Sequence, residues 1–313
     1  MKKIDFHIHV SASISPERSA QYLRDMCQRH GYEGVGIMSL YYNYGEFCPE
    51  CNDIALRVKD LLKNSYAFAS LLPNEDFAMQ TKRLMASGFD GIKLIRGGKP
   101  SHHRISGHAY DSEIYSDFFA YAEEERVPIL MHNNDPALNW DIKRASKRAI
   151  EKGWVYDGTY PSHEYYYSLV DCVLEKHPLL NLTIAHLGFY SENIDRAIAL
   201  LEKYPNLRFD VTPALNIYFE LSQDPEKAKI FFETYRDRLI FGTDADSQLD
   251  GFAREYNDKK NRVTSVFLKG EYGSEQMFEE GVIRSIGLAD DILEDIYYNN
   301  AKRFIAAYSK AKK

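Results

Sequence analysis

Several features that would place a chain in a specialised class are missing. The 313 residues contain only four cysteines, too few in a chain of this length for a disulfide-stabilised scaffold. No apolar run approaches the roughly 18 residues that a membrane-spanning helix needs. Positive charge is in deficit, because 39 Lys and Arg face 46 Asp and Glu, for a net charge of −7. Nucleic acid is therefore not expected as a partner, since binding phosphates requires a concentrated positive surface.

The amino-terminal segment and the cysteines favour an intracellular chain. Asp5, His7 and His9 interrupt the first residues, so the continuous apolar core of a signal peptide is missing. We therefore expect a cytoplasmic protein with reduced thiols. Cys48 and Cys51 form a lone CxxC pair, which supplies two of the four ligands of a structural zinc site. We interpret the pair as incidental thiols in a loop, with a redox or metal role as the alternative.

Short apolar segments alternate with amphipathic segments along the whole chain, at intervals of about 30–40 residues. Strands that are each followed by a helix are parallel and joined by right-handed crossovers. Eight of them predict a closed (β/α)8 TIM barrel, an α/β fold. An open doubly wound sheet is the alternative, but no GxGxxG follows the first strand. No low-complexity linker interrupts the pattern, so residues 1–313 are predicted to form a single domain.

The predicted elements can be stated with their boundaries. The strands are Ile4–Val10, Gly34–Leu40, Tyr66–Leu72, Gly91–Ile95, Pro128–His132, Leu182–Leu187, Leu207–Val211 and Leu239–Thr243. The clearest helices are Pro16–Arg29, Glu75–Ser87, Glu113–Arg126, Tyr165–Lys176 and Ile194–Lys203.

Polar residues at the ends of four of these strands indicate a metal site. In His7-Ile8-His9, the alternation of side chains along a strand places both imidazoles on one face, where a divalent cation would be a partner that suits both. His132 ends the fifth strand, His186 the sixth and Asp244 the eighth. The carboxyl ends of barrel strands meet at one mouth, where barrel enzymes build their sites. Singly, each histidine could be a satisfied core residue and Asp244 a helix N-cap, but five residues in register favour a metal site.

This order of residues resembles the amidohydrolase superfamily of metal-dependent barrels: HxH on strand one, His on strands five and six, and Asp on strand eight. Within it, the chain is similar to the amidohydrolase-related branch that includes lactonases and aminocarboxymuconate semialdehyde decarboxylase. The near-terminal segment Asn299–Phe304 is like the Asn-Ala helix that commonly ends these proteins. The resemblance spans the whole chain and is specific for the superfamily but not for a substrate.

The resemblance implies a site with one divalent cation, held by His7, His9, His132 and Asp244. Zinc suits three imidazoles and a carboxylate best, and Mn2+, Fe2+ and Co2+ are alternatives. Such a cation lowers the pKa of a bound water from about 15.7 toward about 7. Asp244 would accept and return a proton. His186 would polarise a substrate carbonyl or, as in some relatives, bind a second metal.

The chemical form of Lys93 decides whether the site holds one metal or two. It lies on strand four with Ile92 and Leu94 directed at the helices, so its side chain should point into the barrel. It is either a carbamylated lysine that bridges two metals, as in the branch resembling phosphotriesterase and urease, or an ammonium paired with an inner carboxylate such as Asp210. Nucleases of the TatD type carry a Glu ligand on strand four, so Lys93 also argues against DNA hydrolysis.

The segment after strand four is locally basic and should lie above the mouth. Arg96, Lys99, His102 and His103 would favour a small molecule that bears a carboxylate or a phosphate, and a solvated charged loop is the alternative. His163, just before a Tyr-rich helix, is either another mouth residue or a surface histidine.

Together these residues predict a metal-dependent hydrolase of a small, anionic amide, ester or lactone. The first alternative keeps the fold and the metal but carries out non-oxidative decarboxylation of a small unsaturated or aromatic carboxylate. A binuclear hydrolase with carbamylated Lys93 and a non-catalytic binding protein are the remaining hypotheses. We expect no membrane partner and a homodimer, since closed two-fold symmetry is the common assembly of such enzymes.

Overall fold

The computed structural model of the chain describes residues 1–10, 13–40, 42–43, 46–73, 75–95, 108–214, 216–247, 251–278 and 281–311. Within these residues, a parallel sheet of nine segments is surrounded by helices. The segments of this sheet are β1 (Ile4–His9), β2 (Gly34–Met38), β5 (Ser65–Ser70), β6 (Gly91–Ile95), β7 (Ile129–His132), β8 (Leu182–Ile184), β9 (Arg208–Asp210), β10 (Leu239–Ile240) and β11 (Ala245–Asp246). Two antiparallel hairpins lie outside it, formed by β3 (Tyr42–Asn43) with β4 (Glu46–Phe47) and by β12 (Glu275–Phe278) with β13 (Gly281–Arg284).

The sheet closes through the eighth strand. Its order is β10-β9-β8-β7-β6-β5-β2-β1-β11, and only residues 241–244 separate the two end segments along the chain. The amide of Phe6 donates to the carbonyl of Phe241 at 3.1 Å, which joins β1 to the interruption. The predicted TIM barrel is therefore confirmed, with an eighth strand that is broken between β10 and β11.

The helices that surround the barrel follow the predicted pattern. The first begins as expected, with Ser15 accepting a hydrogen bond from the amide of Arg18 and Pro16 at its first position, and it ends at Gly31 with φ 69°. Ile194–Lys203 has the predicted bounds. Among the described residues, the helices are α1 (Pro16–His30), α2 (Cys51–Asp60), α3 (Phe77–Ala86), α4 (Ser116–Glu124), α5 (Lys147–Glu151), α6 (His163–Lys176), α7 (Ile194–Lys203), α8 (Asn216–Leu221), α9 (Pro225–Thr234), α10 (Gly251–Lys269), α11 (Asp290–Glu294) and α12 (Asn300–Ala311). In the part of the chain that is described, no helix combines the length and the apolar composition needed to cross a lipid bilayer.

The barrel interior changes from apolar to polar along its axis. At the amino-terminal end, Phe6 packs with Phe68, Leu130 and Ile240, and Phe304 of α12 closes this cluster from below. Ile8 lies instead in the outer layer between strands and helices. Because apolar side chains fill the lower interior, the buried polar groups of the inner face are left to the carboxyl ends of the strands.

A bulge in β1 lets two consecutive residues, Phe6 and His7, both face the inside of the barrel. The register with β2 shifts between Asp5 and Ile8, so that Asp5 pairs with Val35 while Ile8 pairs with Ile37. Such an extra residue reverses the alternation of side chains. Phe6 therefore points into the apolar interior, and the next residue, His7, also faces inward.

Candidate metal centre at the mouth of the barrel

Two imidazoles and one carboxylate converge at the carboxyl end of β1. His7 Nε2 lies 3.2 Å from His9 Nε2, and Asp244 Oδ1 lies 3.1 Å from His9 Nε2 and 3.7 Å from His7 Nε2. Bonds of about 2.0–2.2 Å to a tetrahedral cation place neighbouring ligand atoms about 3.3–3.6 Å apart. The three observed separations lie around this range, so the donor set fits a divalent cation.

Asp210 fixes the orientation of the His7 ring. Its Oδ2 accepts a hydrogen bond from His7 Nδ1 at 2.8 Å, and both groups are almost fully buried. With the proton on Nδ1, the lone pair of Nε2 faces His9 and Asp244. Burial, followed by the neighbouring Lys93 ammonium, holds the pKa of His7 well below its usual range, so the imidazole is neutral. A neutral imidazole with an oriented lone pair is the form that binds a cation.

Lys93 points into the barrel, as predicted, but its partner differs from the expected one. Its Nζ lies 3.2 Å from His7 Nε2, and among the described residues no carboxylate oxygen comes within 4.0 Å of it. The ion pair with an inner carboxylate such as Asp210, one of the two alternatives for Lys93, is therefore not seen as a direct contact, and Asp210 Oδ2 accepts a hydrogen bond from the His7 ring instead. Burial lowers the pKa of Lys93 to about 8, although Asp210 and Asp244 oppose this shift.

His186 lies in a left-handed turn, and strand six is shorter than predicted for this reason. Strand β8 ends at Ile184, and His186, Leu187 and Gly188 have φ values of 55°, 51° and 61°. Each left-handed residue other than glycine costs roughly 1–2 kcal/mol. Asp244 also adopts a left-handed conformation, with φ 54°, and interrupts strand eight. The strained residues therefore include both predicted catalytic residues.

The hydrogen bonds of His186 identify which nitrogen is available. The Thr212 hydroxyl donates to Asp210 Oδ1, so it accepts from His186 Nδ1, which lies 2.9 Å away. Nε2 therefore carries a lone pair and no proton. His186 can bind a metal or act as a base through this nitrogen, but it cannot donate a hydrogen bond from it to a substrate carbonyl, the role expected from the sequence. Burial lowers the pKa of His186 to about 3, so the ring is neutral. In the described part of the chain, His7, His186 and Asp244 offer ligand atoms that all lie within 4.8 Å of one another.

His132 is a neighbour of His186 and is not one of these three residues. Its centroid is 4.8 Å from that of His186, and its Nε2 lies 3.5 Å from Asp135 Oδ1. This Nε2 is buried without a hydrogen-bond partner. Because buried polar atoms almost always have a partner, the orphaned nitrogen is the part of His132 that a cation or a substrate would satisfy.

Lys260 of α10 is a site residue that the sequence did not reveal. Its Nζ lies 3.2 Å from Asp244 Oδ2 and also contacts the Asp244 carbonyl. Burial would raise the pKa of the Asp244 carboxyl, but the Lys260 ammonium, followed by His9 and His186, holds it well below its usual range. Asp244 is therefore ionised. Nothing in the local sequence connects Lys260 to a residue 16 positions earlier.

The predicted substrate-binding residues fall into two groups. Arg96, Lys99, His102 and His103 lie outside the described residues. His163 begins α6 and is half-buried, with its ring centroid 4.8 Å from that of Trp140 and 4.7 Å from that of Tyr167.

The mouth and His163 are joined through Asp135. His163 Nε2 donates to the Asp135 carbonyl at 3.0 Å, and the Asp135 carboxylate in turn approaches His132. The second carboxylate oxygen of Asp135 accepts a hydrogen bond from the Tyr156 hydroxyl at 2.6 Å. His163 is thus a packed residue behind the mouth and not a freely exposed histidine.

Cys48 and Cys51 are buried thiols that are not joined by a disulfide. They pack against Ile54 and Leu72, and burial raises the pKa of Cys51 to about 12. A protonated thiol in an apolar setting is unreactive. The pair is not part of any metal-ligand group found among the described residues.

Comparisons with known proteins show a matching sequence family and several similar folds. A sequence model of the amidohydrolase family matches residues 4–306, and no curated protein matches the chain. An uncharacterised TIM-barrel protein from Bordetella bronchiseptica is similar in structure, with a TM-score of 0.64 and 14% identity over 99% of this chain and 100% of that one. A 5-carboxyvanillate decarboxylase from Sphingomonas paucimobilis has a TM-score of 0.59 and 10% identity over 97% and 99% of the two chains. A 4-oxalomesaconate hydratase from Rhodopseudomonas palustris has a TM-score of 0.56 and 16% identity over 99% of this chain and 97% of that one.

Proposed function

The chain belongs to the amidohydrolase family, and on this premise we propose that it is a metal-dependent hydrolase of a small, anionic amide, ester or lactone. The observation that supports this most directly is the convergence of His7 Nε2, His9 Nε2 and Asp244 Oδ1 at separations of 3.1–3.7 Å. Three donors of this kind, one of them an ionised carboxylate, form a cation site and are costly to bury otherwise.

We assign His7, His9, Asp244 and His132 as the residues that hold one divalent cation, with zinc as the best match to nitrogen and oxygen donors. His186 Nε2 is the additional donor on the same side of the mouth. When bound, the cation supplies Lewis acidity and a water that is acidic enough to ionise near neutral pH.

The residues of the chain then supply orientation and proton transfer. Asp210 keeps the His7 ring in the correct tautomer through its 2.8 Å hydrogen bond. The ionised Asp244 would accept a proton from the attacking water and return it to the leaving group. The neutral His186, fixed by Thr212, presents a lone pair and not a proton, so among the residues at the mouth the Lys93 ammonium is the one that would stabilise an oxyanion.

The buried charges favour an anionic substrate. Facing the mouth in the described part of the chain are the ammonium groups of Lys93 and Lys260 and the carboxylates of Asp135, Asp210 and Asp244. Two ammonium groups against three carboxylates leave one negative charge, so a divalent cation gives the site one net positive charge. A substrate carboxylate would complete the balance, and Lys93 is the ammonium that is not held by a carboxylate.

Non-oxidative decarboxylation is the second candidate. The fold is shared with a decarboxylase and a hydratase over 97% and 99% of this chain. The Lys93 ammonium would bind the carboxylate together with the cation, and Asp244 would take a proton from a water molecule and pass it to the carbon that loses CO2, so that hydroxide and CO2 leave the site. Both candidates use the same residues, so product analysis is needed to separate them.

The test is turnover by the metal-loaded protein in 18O-labelled water, with a panel of lactones, esters, amides and aromatic carboxylates. Hydrolysis predicts one labelled oxygen in the acid product, whereas released CO2 without label in the organic product indicates decarboxylation. Asp244→Asn should abolish either reaction with the fold intact. A fully active Asp244→Asn variant would refute the assignment of this residue.

A further inference from the structure

Helix α10 turns a polar stripe toward the barrel. Asn257, Lys260, Asn261 and Thr264 follow the spacing of one helix face, and Asn257, Lys260 and Thr264 are buried. Buried polar side chains require partners, and here two of them contact the interrupted end of strand eight. The stripe is therefore more than a solvated helix surface.

The contacts hold strand eight at two points. Lys260 Nζ contacts the carbonyl of Asp244 and lies 3.2 Å from its Oδ2. Two residues later, Asn257 Nδ2 donates to the carbonyl of Asp246 at 2.9 Å, and Asn257 Oδ1 accepts from the amide of Asp246 at 3.4 Å. The residues that follow the break are thus fixed to α10 as well as to β1.

The two carboxylate oxygens of Asp244 have separate partners. Oδ2 faces Lys260, whereas Oδ1 lies 3.1 Å from His9 Nε2 and 3.7 Å from His7 Nε2. Fixing Oδ2 therefore fixes the direction of Oδ1. The additional contact with the carbonyl restrains the backbone of a residue that has the unfavourable φ of 54°.

We propose that Lys260 is a positioning residue for Asp244: it holds the carboxylate and the backbone of this residue so that Oδ1 faces the imidazoles of the metal centre. The proposal rests on the function assigned to Asp244 above. A lysine suits this role because its ammonium has three donors and can serve the carbonyl and the carboxylate together. Its side chain is 6% exposed, so water does not replace it readily.

The experiment uses the full chain loaded with Co2+ alone, because the visible absorption of Co2+ reports the number and geometry of its ligands. Lys260→Met removes the charge and the donors while keeping an unbranched side chain. Lys260→Arg keeps both. Lys269→Met is the matched control on the same helix, since Lys269 pairs with Glu271 at 3.0 Å and is partly exposed.

The expected result is a shift and loss of intensity of the Co2+ bands in Lys260→Met, with wild-type bands in Lys260→Arg and Lys269→Met. In an Asp244→Ala background, Lys260→Met should cause no further change, because the carboxylate through which its effect passes is absent. Wild-type bands in Lys260→Met would overturn the proposal, and so would a further change in the Asp244→Ala background.

Folding and the underlying function are controlled separately. If Lys260→Met does not fold, Lys260→Gln replaces it, since the amide still donates to the Asp244 carbonyl but carries no charge; the same spectral change is expected, and wild-type bands would contradict the role of Lys260. If the wild type takes up no Co2+, the proposed function itself fails and the positioning role with it. Normal uptake with an unaffected Lys260→Met spectrum contradicts the positioning role alone.

Discussion

The two nitrogens of the His7 ring have different partners, and this difference organises the site at the scale of single residues. Nδ1 donates to Asp210, while Nε2 faces His9, Lys93 and Asp244. Asp210 Oδ1 also accepts a hydrogen bond from the backbone amide of His186 at 2.6 Å and another from the Thr212 hydroxyl, which contacts the His186 ring. One carboxylate therefore orients the His7 ring directly and the His186 ring through Thr212.

Asp210 is not itself proposed as a metal ligand, but its replacement should weaken metal binding. We expect Asp210→Asn to lower zinc affinity by about 10–100-fold, the usual effect of losing the residue that orients a ligating histidine. Competition with a chromophoric chelator measures this change. Asp60→Asn, at an exposed position at the end of α2, is the control. Equal affinities of the Asp210→Asn variant and the wild type would show that Asp210 does not orient the ligand.

Gly242 is required because strand eight passes close to His7. An added Cβ would lie 2.7 Å from His7 Cβ and 2.7 Å from Thr212 Cγ2. We expect Gly242→Ala to destabilise the fold by about 1–3 kcal/mol, the cost of overpacking a core. Gly158→Ala, where an added Cβ meets nothing within 4 Å, should leave the stability nearly unchanged. Denaturant unfolding compares the two variants with the wild type. A Gly242→Ala variant as stable as the wild type would show that strand eight can move away from His7 and Thr212 at little cost.

At the scale of elements, the irregular ends of the strands create the site. The bulge in β1 turns His7 inward directly after Phe6, and the left-handed turn 185–189 and the break at 241–244 bring His186 and Asp244 over the mouth. Regular strands would have carried these residues further up the barrel wall.

Helix α12 closes the opposite end of the barrel. Phe304 is fully buried, with ring centroids 5.8 Å from Phe6 and 6.0 Å from Phe68. We expect Phe304→Ala to lower the free energy of unfolding by about 3–5 kcal/mol and Phe304→Leu to cost less. A loss below about 1 kcal/mol in the Ala variant would mean that the barrel floor repacks around the cavity.

Sequence patterns predicted the regular part of this architecture but not its irregularities. Apolar runs identified all eight strands, since burial on both faces requires such runs, and polar residues at their ends pointed to His7, His9, His132, His186 and Asp244 as candidate site residues, of which His7, His186 and Asp244 offer ligand atoms within 4.8 Å of one another. The left-handed backbone at His186 gave no signal because it depends on tertiary packing. Lys260 could not be found because its contact with Asp244 joins a helix to the preceding strand end.

For the whole molecule, we expect a bound cation to stabilise the fold. Ligands that bind only the native state raise its stability, by about 2.7 kcal/mol at a free concentration of 100 times Kd. Removing metal with a chelator should therefore lower Tm, and adding zinc should restore it. His9→Ala should show a much smaller response, and an equal response in this variant would mean that the metal binds elsewhere.

The most direct test of the metal centre is the transition-metal content per chain, measured by elemental analysis of the purified protein and of the Asp244→Asn variant. We expect about one equivalent in the wild type, as for a site of three histidines and one carboxylate, and a reduced content in the variant. About two equivalents would contradict the mononuclear site and indicate a carbamate on Lys93. A wild-type chain that stays empty after reconstitution with zinc, manganese, iron or cobalt would contradict the metal centre itself.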